Sequence, residues 1–127
     1  MTRNPSMVGT ARWQFDHHRL DAFWVAQQAM VQGDQLARSL PRGYGALADQ
    51  MRRALLGAYL QTTEGAARTG ADRQSRLRVA RAEAGEAAAA LEGAQRLGLV
   101  REAQAEPVLG LLWRLCAMLT RLGALGR

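Results

Sequence analysis

Apolar residues recur at helical spacing along most of this chain, in four long stretches divided by glycine- or proline-bearing breaks. The first stretch is preceded by residues 1–15, which hold Pro5 and Gly9, keep no period and read as a flexible basic arm. Asp16 then offers an N-cap, and residues 17–40 read as a helix with Leu20, Phe23, Trp24, Met30 and Val31 along one side. Pro41-Arg42-Gly43 breaks it, because proline disfavours helical geometry in the residue before it. A second helix is predicted over about residues 45–67, with Gly70 suited to a left-handed turn after it and Asp72 to the next N-cap. The third covers about residues 73–97 and closes at Gly98. A fourth starts near Arg101 or Ala105, with Pro107 in its first turn, and continues to about Leu122. No stretch alternates with the two-residue period of a strand. Long amphipathic helices on short loops pack as antiparallel neighbours, so residues 16–127 are expected to form an all-α, up-down four-helix bundle.

The apolar faces are wider than one buried stripe requires. On the second helix, Leu47, Met51, Ala54, Leu55, Ala58 and Thr62 make one stripe, while Leu56, Tyr59, Leu60 and Thr63 make another. The third buries Leu77, Ala80, Ala84, Ala87, Ala88 and Leu91, yet Val79, Ala82 and Ala90 lie well round the cylinder. On the fourth, Leu109, Leu112, Trp113, Cys116 and Leu119 form one face and Leu111, Met118 and Leu125 another, with Arg114 and Arg121 marking the wet edge. Large exposed apolar patches commonly mark interfaces. The expectation is a homo-oligomer whose contacts use Leu56, Tyr59, Leu60, Val79, Ala82, Leu111 and Met118. The plainer alternative is that alanine-rich helices tolerate solvent on those sides.

Composition adds charge to this picture. Seventeen basic residues face eleven acidic ones, for a net +6, and every basic residue is arginine. Each cation can therefore fork onto a phosphate or carboxylate, and the balance favours polyanions, nucleic acid first. The single cysteine, Cys116, cannot form an internal bridge and fits a reducing compartment. With no secretory signal at the N-terminus and no long uninterrupted apolar run, the expected location is the cytoplasm, without a membrane span.

Catalytic and metal-binding constellations are not legible. His17 and His18 are adjacent, so on a helix they diverge by about 100° and cannot share a metal. There is no Cys-x-x-Cys, no Glu-x-x-His and no glycine-rich phosphate loop between a strand and a helix. Glu64, Glu83 and Glu86 offer carboxylates without histidine partners. A non-enzymatic protein with no catalytic residue, metal or cofactor is expected.

The arginines carry the functional expectation. Arg68, Arg73, Arg76, Arg78 and Arg81 crowd the turn into the third helix, Arg52 and Arg53 project from the second, and Arg38 and Arg42 end the first. Salt bridges to Glu64, Asp72, Glu83 and Glu86 would account for part of this set. Repeated around a ring, the rest would form a belt able to contact many phosphates. Trp13, Trp24 and Trp113 read as arm and core residues, so binding is expected to act on backbone charge rather than on bases.

Several segments also fall in a familiar order. Leu20-Asp21-Ala22-Phe23-Trp24 comes first, then Ser39-Leu40-Pro41-Arg42-Gly43, Asp49-Gln50-Met51-Arg52-Arg53-Ala54 and Glu64-Gly65, followed by Ala80, Glu86 and Leu97-Gly98-Leu99-Val100. Over about residues 15–125 the chain resembles the four-helix-bundle family of proteins encoded in intervening sequences of bacterial 23S ribosomal RNA genes. The turn and fourth helix are similar to the related accessory proteins of diversity-generating retroelements. The resemblance implies a left-handed up-down bundle in a barrel-shaped pentamer with a basic surface or channel. For the retroelement relatives it implies binding to nucleic acid and to a partner reverse transcriptase. By position, Arg52 and Arg53 match the family's paired arginines, Glu64 and Gly65 its glutamate-glycine step, and Glu86 its third-helix glutamate. Gln61 stands where many members have asparagine, and Ala88 replaces a second glutamate.

Together these readings predict an oligomeric nucleic-acid-binding accessory protein, with Arg52, Arg53, Arg68, Arg73, Arg76, Arg78 and Arg81 as contacts for RNA or DNA of any sequence. The alternatives are an interaction scaffold whose arginines meet an acidic protein, and a core ligand or metal site for which no ligands are visible.

Overall fold

The computed structural model describes residues 13–125, with side chains as far as Gly123. Residues 1–12 of the expected arm and the Leu125 side chain lie outside the described residues. A 3-10 turn at Asp16–Arg19 leads into α1 (Asp21–Arg38), α2 (Gly45–Ala66), α3 (Gly70–Arg96) and α4 (Glu102–Leu125). Helix α1 packs on α2 and α4, and α3 on the same two, while the diagonal pairs barely meet. That closed cycle of neighbours, on short connections, is an up-down four-helix bundle. No helix among the described residues is long and apolar enough to cross a membrane.

Small residues set the α1 seam. Its buried face is Ala22, Phe23, Val25, Ala26, Ala29, Gly33 and Ala37, whereas Met30 only flanks the core and Val31 is exposed. The expected stripe of large residues was thus offset, because close helix approach favours side chains too small to dominate a hydropathy pattern. A Cβ on Gly33 would stand 2.5 Å from Leu55 Cδ1, which shows how near α2 comes. Facing it are Met51, Ala54, Leu55 and Ala58 of α2, with Leu77, Ala80, Ala84, Ala87 and Leu91 of α3 completing that side. Helix α4 contributes Ala105, Val108, Leu112, Leu115 and Leu119, an alternating three-four spacing that keeps one stripe facing inward.

The helix ends depart from expectation in three places. Asp16 does not cap α1: Leu20, extended at φ −102°, separates the 3-10 turn from the helix. Thr69 rather than Asp72 precedes α3, and Asp72 lies in its first turn, where a carboxylate suits the helix dipole. Pro107 sits beyond the first turn of α4, since the helix already begins at Glu102. Its missing N–H leaves the carbonyl four residues earlier, at exposed Ala103, without the usual helical donor. The Arg101 N–H is met by Gln104 Oε1 at 3.0 Å, which anchors that start. Gly98 behaves as expected: at φ +78° it ends α3, with Gly98 N–H donating to Gln95 O and Leu99 N–H to Ala94 O, both at 2.9 Å.

The two histidines are half-buried. His17 lies 4.5 Å from the Phe23 ring, His18 stacks on Trp24 at 5.5 Å, and Phe23 meets Tyr59 at 5.3 Å, so an aromatic cluster closes this end of the α1–α2 seam. Burial, and then the neighbouring His18, lower the His17 pKa against a smaller opposing effect of Asp16.

Candidate nucleic-acid interface

The seven arginines singled out from the sequence fall into three groups set by the helices that carry them. Arg52 and Arg53 line a groove of about 700 Å³ between α1 and α2, floored by Met30, Val31, Leu55 and Leu56. There, Asp34 is shared: Arg52 Nε donates to its Oδ1 at 2.7 Å and Arg38 Nε to its Oδ2 at 2.8 Å. Partial burial pushes the Asp34 carboxyl up, but hydrogen bonds and charge from Arg52 and Arg38 outweigh that and hold it below its ordinary value. Asp34 was not foreseen as a partner, being a helix away from Arg52 in sequence.

Around the α2–α3 turn, Arg68 bridges Asp72 at 2.9 Å and Glu64 at 3.2 Å. Arg76 reaches the other Asp72 oxygen at 3.7 Å, and Arg73 donates to the Gly65 carbonyl at 3.4 Å. Arg68 is thus held by two carboxylates, as the salt-bridge alternative anticipated for Glu64 and Asp72, while Arg73 and Arg76 make the longer contacts of the turn. The other two acids behave differently. Glu86 accepts from Gln50 at 2.8 Å, and the Glu83 carboxylate lies against Gly57, where an added Cβ would collide with it. Burial, reinforced by Glu86, raises the Glu83 pKa.

Arg78 and Arg81 form the third group. Among the described residues they make no ion pair, and with Gln74, Leu77, Thr120 and Gly123 they line a groove of about 350 Å³ between α3 and α4. Arg81 also lines a second stretch of the same seam, about 550 Å³, beside Gly85, Ala88, Leu109, Gly110, Trp113 and Cys116, with Glu92 and Glu106 at its far end. The weak contact from Cys116 Sγ to Arg81 O, 3.9 Å, marks the register of the two helices here. Partial burial raises the Cys116 pKa, with Arg81 opposing.

Trp113 is where the sequence reading fails most. Assigned there to the core face, it is 78% exposed, and Leu115 takes the core position with no exposure. The three-four spacing from Ala105 to Leu119 was the available signal, since it turns Trp113 about 100° off the buried stripe. Because α1 and α3 are diagonal, the α1/α2 and α3/α4 grooves lie on opposite sides of the bundle. One surface of a single chain cannot therefore present all seven arginines.

The residues named as oligomer contacts divide similarly. Leu56, Leu60 and Val79 are nearly half exposed and Ala82 is exposed. Tyr59, Leu111 and Met118 instead pack partly against this chain's own core, and Tyr59 OH accepts from Gln27. No three His, Cys, Asp or Glu side chains gather as a metal would need among the described residues. No family model matches the chain, and no curated protein matches it.

Proposed function

We propose that this chain is a non-enzymatic, self-associating helical bundle that binds nucleic acid through the α3/α4 face. The observation that carries the reading is the pair Arg78 and Arg81, one turn apart, unpaired among the described residues and lining one groove. A carboxylate beside a guanidinium offsets the charge it presents to a phosphate; these two carry theirs uncompensated by an ion pair. Thr120 beside them donates to Cys116 O at 2.9 Å, which leaves its oxygen as an acceptor and the groove mouth polar. The order of segments resembling the intervening-sequence and retroelement accessory proteins supports the same class of ligand, and suggests a cytoplasmic pentamer that could serve a partner enzyme.

The test is an Arg78→Gln/Arg81→Gln double substitution, assayed for affinity to mixed-sequence RNA and DNA across a salt series. Affinity should fall uniformly across sequences, and the log–log salt slope should flatten by about 1.4–1.8 for two lost phosphate contacts. Arg68→Gln should change binding far less. Unchanged affinity in the double variant would sink the assignment.

A second reading, interaction with a protein, draws on the α1/α2 groove, whose apolar floor at Val31 and Leu56 lies open between charged rims. A second copy or a partner helix seated there would cover those side chains. Light scattering separates the cases: a mass that is a multiple of 13.9 kDa and falls on Leu56→Asp supports self-association at this groove. A monomer unchanged by that substitution refutes it.

A further inference from the structure

We propose that the α3/α4 groove takes single-stranded rather than duplex nucleic acid, with one base stacked on Trp113 and the adjoining phosphates on Arg81 and Arg78. This rests on the nucleic-acid reading above and adds to it a base-contacting platform. Trp113 is the most exposed of the large apolar residues, at 78%, and makes no ring contact or hydrogen bond among the described residues. A lone apolar side chain on a surface needs no explanation. This one shares a groove with Arg81, which is what gives it meaning.

The surroundings leave the indole accessible. A helical side chain leans toward the preceding turn, which here holds Leu109 and Gly110, and Gly85 stands across the seam on α3. A Cβ on either glycine would meet nothing within 4 Å, so the space directly over both is open. With Cys116 level with Arg81 on antiparallel helices, Gly110 stands level with about Ala87, which is about 9 Å along α3 from Arg81 and about 4.5 Å more from Arg78, at 1.5 Å rise per residue. Both steps are within reach of a nucleotide and its neighbouring phosphates when met by long arginine side chains. At the opposite end Glu92 and Glu106 repel phosphate, so the strand is held from the arginine end and its backbone turns away beyond Trp113. A duplex keeps its bases stacked inside and offers this site only its phosphates. Stacking on an aromatic platform is tolerant of sequence.

The experiment compares Trp113→Ala and Trp113→Phe with the unaltered protein. Affinities are measured for a short oligodeoxythymidine, an abasic strand of equal length and a duplex. Trp113→Ala should weaken oligodeoxythymidine binding by about five- to a hundredfold, leave the abasic strand and duplex unchanged, and be partly rescued by phenylalanine. Equal affinity of Trp113→Ala and the unaltered protein for oligodeoxythymidine, with Arg78→Gln/Arg81→Gln still weakened, overturns the stacking and leaves the charge-based reading standing. No binding to any strand by the unaltered protein overturns both. A change in solution mass on Trp113→Ala, without loss of binding, assigns the tryptophan to contact between copies and overturns the proposal.

Discussion

Replacing Gly33 or Gly85 by alanine is the same chemical change in two helices, and the packing predicts opposite signs. Alanine is favoured over glycine in a helix interior by about 1 kcal/mol, from the backbone entropy glycine loses. Gly85 is exposed on α3 and an added Cβ meets nothing within 4 Å, so Gly85→Ala should gain that amount. At Gly33 the same atom would lie 2.5 Å from Leu55 Cδ1 and 3.1 Å from Cδ2. Leu55 is itself 2% exposed, so its methyl groups can make room only by turning toward the α1/α2 groove that they help to line. Overpacking of this kind costs about 1–3 kcal/mol, so Gly33→Ala should lose about 1 kcal/mol net. The two variants should then differ by about 2 kcal/mol, or roughly 6–10 °C in Tm for a domain of this size. Thermal unfolding followed by circular dichroism reads this directly. A double-mutant cycle with Leu55→Ala sharpens it. Alone, that truncation should cost about 2–5 kcal/mol. In the Gly33→Ala background the new methyl occupies part of the cavity, so the cost should drop by about 1 kcal/mol or more. A rise in Tm for Gly33→Ala equal to that of Gly85→Ala, with an additive cycle, would refute the argument that α1 and α2 meet through this glycine.

Two further outcomes follow from the burial and charge of single residues. Leu115→Ala should destabilise by about 2–5 kcal/mol by opening a cavity, while Trp113→Ala should stay within about 0.5 kcal/mol; denaturant titration giving the reverse order would restore the tryptophan to the core. Glu83→Gln should stabilise the protein at neutral pH. The Glu83 carboxyl pKa is raised in the folded state, so ionisation favours the unfolded chain, and the native protein loses stability as pH rises from the ordinary value of 4.5 through the folded one. The advantage of the Glu83→Gln variant should therefore shrink as pH is lowered below that window, and a gap independent of pH would show that the carboxylate is not desolvated against Gly57.

Helix number, the bundle class and the Gly98 stop were legible in the sequence because each rests on a local rule: a period, a loop length, a residue without Cβ. Phase was harder. On α4 nearly every turn carries apolar residues on two sides, so the period fixes a helix without fixing which side is buried, and a face through Leu112 and Cys116 takes in Trp113 while missing Leu115. On α1 the burying residues are mostly alanines, whose weight in any hydropathy pattern is small although they permit the closest contact. The candidate site was legible only as a list of arginines. Which of them stay unpaired depends on Asp34 meeting Arg52 across a turn and on Glu83 meeting Gly57 instead of a guanidinium, and such tertiary partners leave no local trace.

The closed cycle of antiparallel neighbours also gives the molecule a sidedness. Helix α1 begins, and α4 ends, at the pole that carries the α2–α3 turn with Arg68, Arg73 and Arg76. The other pole holds the two remaining turns, residues 39–44 and 97–101. The arginine end of the α3/α4 groove opens toward the first pole and the Glu92–Glu106 end toward the second. A tag or fusion joined to either end of the bundle thus emerges beside the mouth through which a strand would arrive, whereas one carried in the turn at residues 41–44 stands a helix length away, clear of it.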